Sequence, residues 1–548
     1  MRGVRLVLTV TQIGDNTAPE LHDDLPLPTS GPSYLPRRRP PIVRPLTVID
    51  RPLAIRARLA RPPRRGLRLL LVLACGLTVA SCGDQGSVRS IRLSECRLPK
   101  VAQAVQCGTL EVPENRERPN GRKLSIFVAV LPANTLSPKP DPLVLLAGGP
   151  GQAASSLGPF ASQLTAVRRT RDIVLIDQRG TGRSSPLSCP ALAPDEHAEF
   201  DTDPVPKATL CAQQLAANGV DASQYTTSAW IADLDSMREA LGYERINLWG
   251  GSYGTRVAQE YVRRHPRHVR SVVLDGVAPP SLRISFDVWR TRADAVDAVI
   301  EACRASSACA KAHPDPAVTL RDIRAALEGG RAAKVTDPRT GAMLDMHVDF
   351  DTIIGALQPL TYSPETASLI PELLSLAEHG EYAPLLAAAI TIIGDLPYEF
   401  NPALFYSVTC SEDAPRVTAD ERASGVANEG ERTLARRTLA VCDHWPKGRY
   451  PPDFATPLAS PLPVLLLSGG LDPVTPPAYG DRVARSLPNS RHVIASGFGH
   501  IVSPHVCAPR LIAAFVDAAG FDTLPKDCIQ FLAHSKRPPM WPDRLAPQ

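Results

Sequence analysis

Seven apolar runs punctuate the chain: "KLSIFVAVL" (123–131), "PLVLLAGG" (142–149), "DIVLIDQRG" (172–180), "INLWGG" (246–251), "SVVLDGV" (271–277), "PVLLLSGG" (463–470) and "RHVIASG" (491–497). They are continuous rather than alternating, which suits strands buried on both faces, and helical patterns separate them. This order predicts an α/β fold: a mostly parallel central sheet flanked by helices. Between Pro280 and about Tyr406 the strand signal fades. Helix-period patterns such as "DAVDAVIEACRAS", "TIIGALQPL", "ASLIPELLSLAEHG" and "YAPLLAAAITIIG" replace it. A mostly helical cap inserted between two sheet strands fits this stretch; helices that only extend the main core are the alternative. No repeat of solenoid period stands out.

At 548 residues the chain is too long for one simple core, which agrees with a large domain carrying an insertion. Its net charge of +4 does not describe the folded part. Residues 1–82 hold 13 Lys and Arg against 5 Asp and Glu, leaving 47 basic and 51 acidic residues downstream. The remainder is therefore slightly acidic, and the basic balance gives no reason to expect a nucleic-acid partner.

Part of that surplus precedes an apolar run, Leu69 to Ala80, in "RPPRRGLRLLLVLACGLTVASCGDQG". The run is too short to span a bilayer stably and reads as a signal-peptide core. Val79-Ala80-Ser81-Cys82 resembles a bacterial lipobox, which predicts lipidation of Cys82 and a membrane anchor there. An ordinary signal cleaved nearby is the alternative. Residues 1–55, Pro- and Arg-rich, stand upstream of where such a signal would begin, and are expected to be a disordered or mis-annotated extension. The expected organisation is extension 1–55, signal and lipobox 56–82, core 83–280, cap 281–405 and core again 406–548.

Ten cysteines follow Cys82, in neighbouring pairs: Cys96/Cys107, Cys189/Cys211, Cys303/Cys309, Cys410/Cys442 and Cys507/Cys528. An even count behind an export signal predicts disulfides in an oxidising compartment. Sequential pairing is the expectation, although spacing alone cannot fix connectivity. No compact Cys/His set or H-E-x-x-H suggests a metal, and His265 and His268 read as a helix-end pair near Pro266.

The run "INLWGGSYGTRVAQEYVRRH" contains G-x-S-x-G between a strand and a helix pattern. Glycines on both sides of Ser252 permit a tight turn that exposes the serine at the sheet's C-terminal edge. A serine nucleophile needs a base, and the base an acid; in α/β-hydrolases they follow in the order Ser, Asp or Glu, His. Asp472 follows the strand "VLLLSG", and His500 lies in the Gly-flanked loop after the next strand. Asp275 is a rival acid, reading otherwise as a turn or cap residue; His492 reads as opening a strand and His505 as a loop or helix-start residue. The N–H of Tyr253 and a Gly-rich loop, "LLAGGPGQ", with Gly149 or Gly151, are candidate oxyanion donors. That loop lacks the Lys-Ser/Thr of a P-loop, and Pro150 removes a donor, which disfavours a phosphate cradle.

In order, "GGPG", "DQRGTGRSS", "GGSYG", "LDPVTP" and "GFGH" resemble the proline iminopeptidase and tripeptidyl aminopeptidase group of α/β-hydrolases, over about residues 90 to 535. "SVTCSEDAP" and the Cys-flanked C-terminus are closer to the secreted tripeptidyl branch with its TAP-like region. Ala147 stands where proline iminopeptidases usually have His, which also favours that branch. The resemblance implies a serine exopeptidase acting on peptides with a free N-terminus and needing no cofactor or metal. It implies that Asp177, Arg179 and Gly180 shape the floor beside the oxyanion loop, the alternative being a structural turn with an internal Asp–Arg pair, and that Thr475 braces the acid loop. A charged α-amine is well held by a carboxylate, for which Glu412 and Asp413 are the candidates. An esterase or lipase with the same triad, and a non-catalytic surface lipoprotein, are the competing readings.

Overall fold

The computed structural model describes residues 91–192, 203–394, 400–424 and 429–535. The N-terminal extension, the signal run and Cys82 lie outside the described residues. Among the described residues nine strands, numbered along the chain, form one sheet, in the order β1-β2-β3-β5-β4-β6-β7-β10-β11. They are β1 (Ser94–Cys96), β2 (Val105–Pro113), β3 (Lys123–Leu131), β4 (Leu143–Leu146), β5 (Ile173–Ile176), β6 (Ile246–Gly251), β7 (Val269–Asp275), β10 (Val464–Gly469) and β11 (Ser490–Ala495). From β5 to β11 every neighbouring pair is parallel; β1, β2 and β3 add an antiparallel edge.

All seven apolar runs are strands, and their burial explains their composition. Val144, Leu146, Val174, Ile176 and Leu466 enter the apolar cluster on one face. Leu143, Leu145, Ile173, Leu175, Leu465 and Leu467, alternating with them, enter the cluster on the other. With both faces covered, neither set of alternate positions can be polar.

The segment between β7 and β10 carries helices Ile284–Ala305, Phe350–Leu360, Ile370–Glu378 and Ala383–Ile393 around an apolar cluster of its own, reaching from Val296 to Ile390. It also holds an antiparallel hairpin, β8 (Arg331–Thr336) and β9 (Met343–Val348), which a purely helical reading of this stretch misses. Along the hairpin only Val335, Leu344 and Val348 are buried, so its apolar signal is weak. Past the insertion, helix Pro402–Glu412 leads back to the core.

The ten cysteines form the five sequential pairs, Cys96–Cys107, Cys189–Cys211, Cys303–Cys309, Cys410–Cys442 and Cys507–Cys528. Among the described residues no helix is long and apolar enough to cross a membrane.

Candidate active site

Ser252 lies between β6 and helix Tyr253–Arg264 with φ +54° and ψ −121°. A non-glycine residue at positive φ is strained, and such strain persists only where the surroundings fix it. Here they do. A side chain at Gly254 would strike the Leu146 carbonyl, and one at Gly148 would lie 2.8 Å from the Ser252 Cβ. The motif's second glycine therefore lets the elbow approach β4, and Gly148 lets the "GGPG" loop lie directly beside the serine. The Tyr253 N–H opens the helix, where no carbonyl of the preceding turn can accept it. Gly149 and Gly151 both have positive φ, and the Gly151 carbonyl accepts the Asn401 N–H at 2.9 Å, which ties this loop to the chain returning from the insertion.

Asp472 and His500 come together. Nδ1 of His500 lies 2.9 and 2.8 Å from the two Asp472 oxygens. Oδ1 also accepts the N–H groups of Val474 and Thr475, each at 2.8 Å, and Oδ2 accepts the Thr475 hydroxyl at 2.8 Å. Burial alone would raise the Asp472 pKa, but the charge and hydrogen bond of His500, with the two backbone donors, hold it below its ordinary value. An ionised Asp472 only accepts, so Nδ1 carries the proton and the Nε2 lone pair is left free to accept a proton. Thr475 thus braces the acid loop.

Asp275, the rival acid, is fully buried and joins Ser252 to His500. Its carbonyl accepts the Ser252 N–H at 2.8 Å. Its carboxylate accepts the N–H of Val502 at 3.0 Å and of Ser503 at 2.7 Å, just past His500. A side chain on the next residue, Gly276, would come within 3.0 Å of His500 Cε1. Asp275 is the splice between the elbow and the histidine loop, a role its strand-end position alone does not reveal. His492 lies inside β11, its ring held by Asp481 and Ser468.

One expectation and one alternative are corrected. Glu412 and Asp413 are both completely buried. Asp413 is occupied by Arg256 at 2.9 Å, Arg416 at 2.8 Å and the Ile284 N–H at 3.0 Å. Glu412 accepts the N–H and hydroxyl of Thr227, at 2.6 and 2.8 Å, and burial pushes its carboxyl up to about 7. Neither can meet a substrate amine. The Asp–Arg pair within "DQRG" is not formed either. Arg179 forks onto Asp233 at 2.6 and 2.7 Å, while Asp177 accepts from Ser155 and the Arg183 N–H, fastening the segment after the "GGPG" loop.

His265 and His268 meet Asp235, with the three ligand-type atoms within 4.8 Å of one another. Although burial opposes it, hydrogen bonds from Arg238, Tyr261 and His268 bring the Asp235 carboxyl down to about 2. The Arg238 guanidinium, 2.8 Å from that carboxylate, puts a positive charge where a divalent cation would need to bind.

A cavity of about 240 Å³ opens beside the acid loop, between Gly470, Leu471 and Asp472 on one side and the long helix Ile284–Ala305 and Thr361 on the other. Asp294, an exposed carboxylate on that helix, lines it. Nothing in the sequence marks Asp294, one acid among several in a helical pattern.

Residues 141–306 match the family described as alpha/beta hydrolase fold, and 429–528 the family described as TAP-like protein. The chain is 25% identical over 430 residues to serine protease Hip1 of Mycobacterium tuberculosis, covering 71% of this chain and 81% of that protein. It is 32% identical over 206 residues to tripeptidyl aminopeptidase of Streptomyces lividans, 34% of this chain and 37% of that protein. It is 29% identical over 422 residues to carboxylesterase B of Mycobacterium tuberculosis, 70% of this chain and 78% of that protein. The chain is a hydrolase of the α/β-hydrolase fold, similar to serine protease, tripeptidyl aminopeptidase and carboxylesterase relatives, with a TAP-like match in its C-terminal region.

Proposed function

We propose that this chain is an exported serine exopeptidase that cleaves peptide bonds near free N-termini. The observation that carries the reading is the Asp472–His500 bond, 2.8 Å long, in a loop spliced through Asp275 to a serine held at positive φ. Ser252 Oγ attacks the scissile carbonyl while His500 Nε2 takes its proton. The N–H of Tyr253, with that of Gly149 or Gly151, receives the oxyanion. His500 returns the proton to the leaving amine, and water, deprotonated by the same nitrogen, releases the acyl-enzyme. Asp472 keeps the imidazole in the required tautomer and stabilises the imidazolium. No step calls for a metal or an organic cofactor.

Since Glu412 and Asp413 are enclosed, we assign the substrate amine to Asp294, whose carboxylate lines the cavity beside Asp472. The remaining lining is mostly small and apolar, with Ala295, Ala298, Ala302 and Leu471, which suits a short peptide with modest side chains. Five disulfides are compatible with an oxidising compartment outside the cytoplasm, and we take Cys82 as the lipidated residue of an envelope lipoprotein.

The relative named carboxylesterase B gives an ester substrate the second place. Mass spectrometry of products from a peptide library, beside p-nitrophenyl esters, separates the two. Removal of short N-terminal pieces, abolished by blocking the amine and by Ser252→Ala, is expected. Asp294→Asn should raise KM for free-amine peptides about tenfold with ester turnover unchanged, the loss of one charge-assisted contact. Ester turnover with no cleavage of free-amine peptides would favour the esterase. A chain that reacts with no fluorophosphonate, wild type or Ser252→Ala, would be the non-catalytic lipoprotein.

A further inference from the structure

His500 is held by the insertion as well as by the core. Its N–H donates to the carbonyl of Tyr362 at 3.0 Å. The preceding Gly499 lies so close to that same carbonyl that a side chain there would collide with it. The Tyr362 ring meets the imidazole edge to face, with centroids 5.4 Å apart and an interplanar angle of 79°. One residue therefore touches both the backbone and the ring of His500.

Tyr362 is itself anchored within the insertion. Its N–H donates to the Pro359 carbonyl at 3.3 Å, at the end of helix Phe350–Leu360. Its phenol oxygen accepts Nη2 of Arg292 at 3.0 Å, and Nη1 of Arg292 reaches Oε1 of Gln358 at 3.2 Å. Arg292 belongs to the long helix Ile284–Ala305, so two insertion helices converge on one tyrosine.

We propose that Tyr362 is a positioning residue for His500, so that the base is competent only while the insertion is seated on the core. Asp472 fixes the Nδ1 edge of the imidazole and Asp275 holds the loop just past it, which leaves rotation of the ring and the backbone at His500 itself to be restrained. Tyr362 supplies both restraints, through its ring and its carbonyl. The cavity beside the acid loop is lined by Thr361 next to Tyr362, by Thr291 next to Arg292, and by Asp472. A substrate in that cavity touches the neighbours of both groups that hold His500, so occupancy and base alignment are linked. This inference rests on the serine-nucleophile reading.

The test compares wild type, Tyr362→Ala, Tyr362→Leu and Tyr362→Phe by three measurements: the second-order rate of fluorophosphonate labelling of Ser252, kcat against KM on whichever substrate is turned over, and the downfield proton resonance of the His500–Asp472 hydrogen bond. Labelling rate and kcat should fall about ten- to a hundredfold in the alanine variant, the cost of a misplaced catalytic group, with KM changing less than about threefold and the downfield resonance broadened. Phenylalanine restores the ring, the backbone carbonyl being present in every variant, and should return the labelling rate to within about threefold of wild type. Leucine fills the space without a ring and is the variant read if alanine fails to fold; it should behave as alanine is expected to. A natively melting leucine or alanine variant that labels at the wild-type rate overturns the proposal, as does a phenylalanine variant as impaired as alanine. A wild type that does not label at all overturns the serine-nucleophile reading and this inference with it; labelling without peptide cleavage leaves this inference intact.

Discussion

Asp275 and Asp472 end adjacent strands, face the same histidine loop and are both buried, yet they do different work. Burial raises the pKa of Asp275, and its oxygens are taken by two backbone N–H groups; Asp472 is held below its ordinary value by the His500 partnership. Chain order could nominate either acid, because the distinction lies in which donor faces each oxygen. Glu412 is a third buried acid with a third outcome. Arg256 and Arg416 lie closest to Asp413, while Arg256 stands 3.8 Å from Glu412, whose hydrogen bonds come from Thr227; burial outweighs the nearby charge and lifts Glu412 from 4.5 to about 7. Between those values the folded state holds a proton that the unfolded chain has lost. Folding stability therefore falls as pH rises from about 4.5 through about 7 and levels off above. The loss is on the order of 3 kcal/mol at about 1.4 kcal/mol per tenfold change in proton affinity. Urea unfolding of wild type and Glu412→Gln across pH 4.5 to 8 should show this slope in the wild type and its removal in the variant. Parallel curves would mean that Glu412 is ionised throughout.

At the scale of elements, the sequential disulfides are unequal. Cys410–Cys442 joins helix Pro402–Glu412 to helix Glu429–His444 across a separation of 32 residues, whereas Cys303–Cys309 closes a separation of 6. Loop-closure entropy gives the first about 3 to 4 kcal/mol and makes it worth about 1.5 kcal/mol more than the second. Replacing both cysteines of each pair by alanine and comparing denaturant midpoints should reproduce that order; equal losses would place the stabilisation in local packing instead. The same contrast between long-range and local information governs what the sequence reveals. Strands buried on both faces announce themselves as unbroken apolar runs, so β3 to β7 and β10 are legible, while β11, of which only Val493 and Ala495 are buried, is legible from a shorter run. β2 alternates buried and exposed positions, so it forms no unbroken apolar run, and hairpin β8–β9 buries only three strand side chains and does not rise above the helical patterns around it. Ser252, Asp472 and His500 are legible because motif spacing and strand ends mark them. Tyr362 and Asp294 are not, since their positions beside the site come from packing of the insertion and leave no local pattern.

Across the whole molecule, the two apolar clusters that sandwich the sheet and the third cluster inside the insertion are separate bodies of contact. The insertion leaves the core after β7 and rejoins it before β10, and its own core of residues between Val296 and Ile390 does not depend on the strands. An opening that breaks only the insertion exposes its own cluster and the small seam of Ala278, Leu282, Val288 and Val474; an opening that reaches β6 and β7 must expose the two large clusters, on opposite faces. Sub-global opening of the insertion is then the lower-energy event, since local stability follows the apolar contact that must be broken. Amides of Phe350–Leu360 and Ala383–Ile393 should exchange with deuterium faster than those of Ile246–Gly251 and Val269–Asp275, at conditions where the core stays closed. A small apolar ligand with a cationic end that fills the cavity between Asp294 and Leu471 bridges the insertion to the acid loop, and should slow the insertion's exchange more than the core's. Uniform protection across all four segments would mean that insertion and sheet unfold as one unit. In that case the seating of Tyr362 on His500 would be permanent and could not respond to substrate.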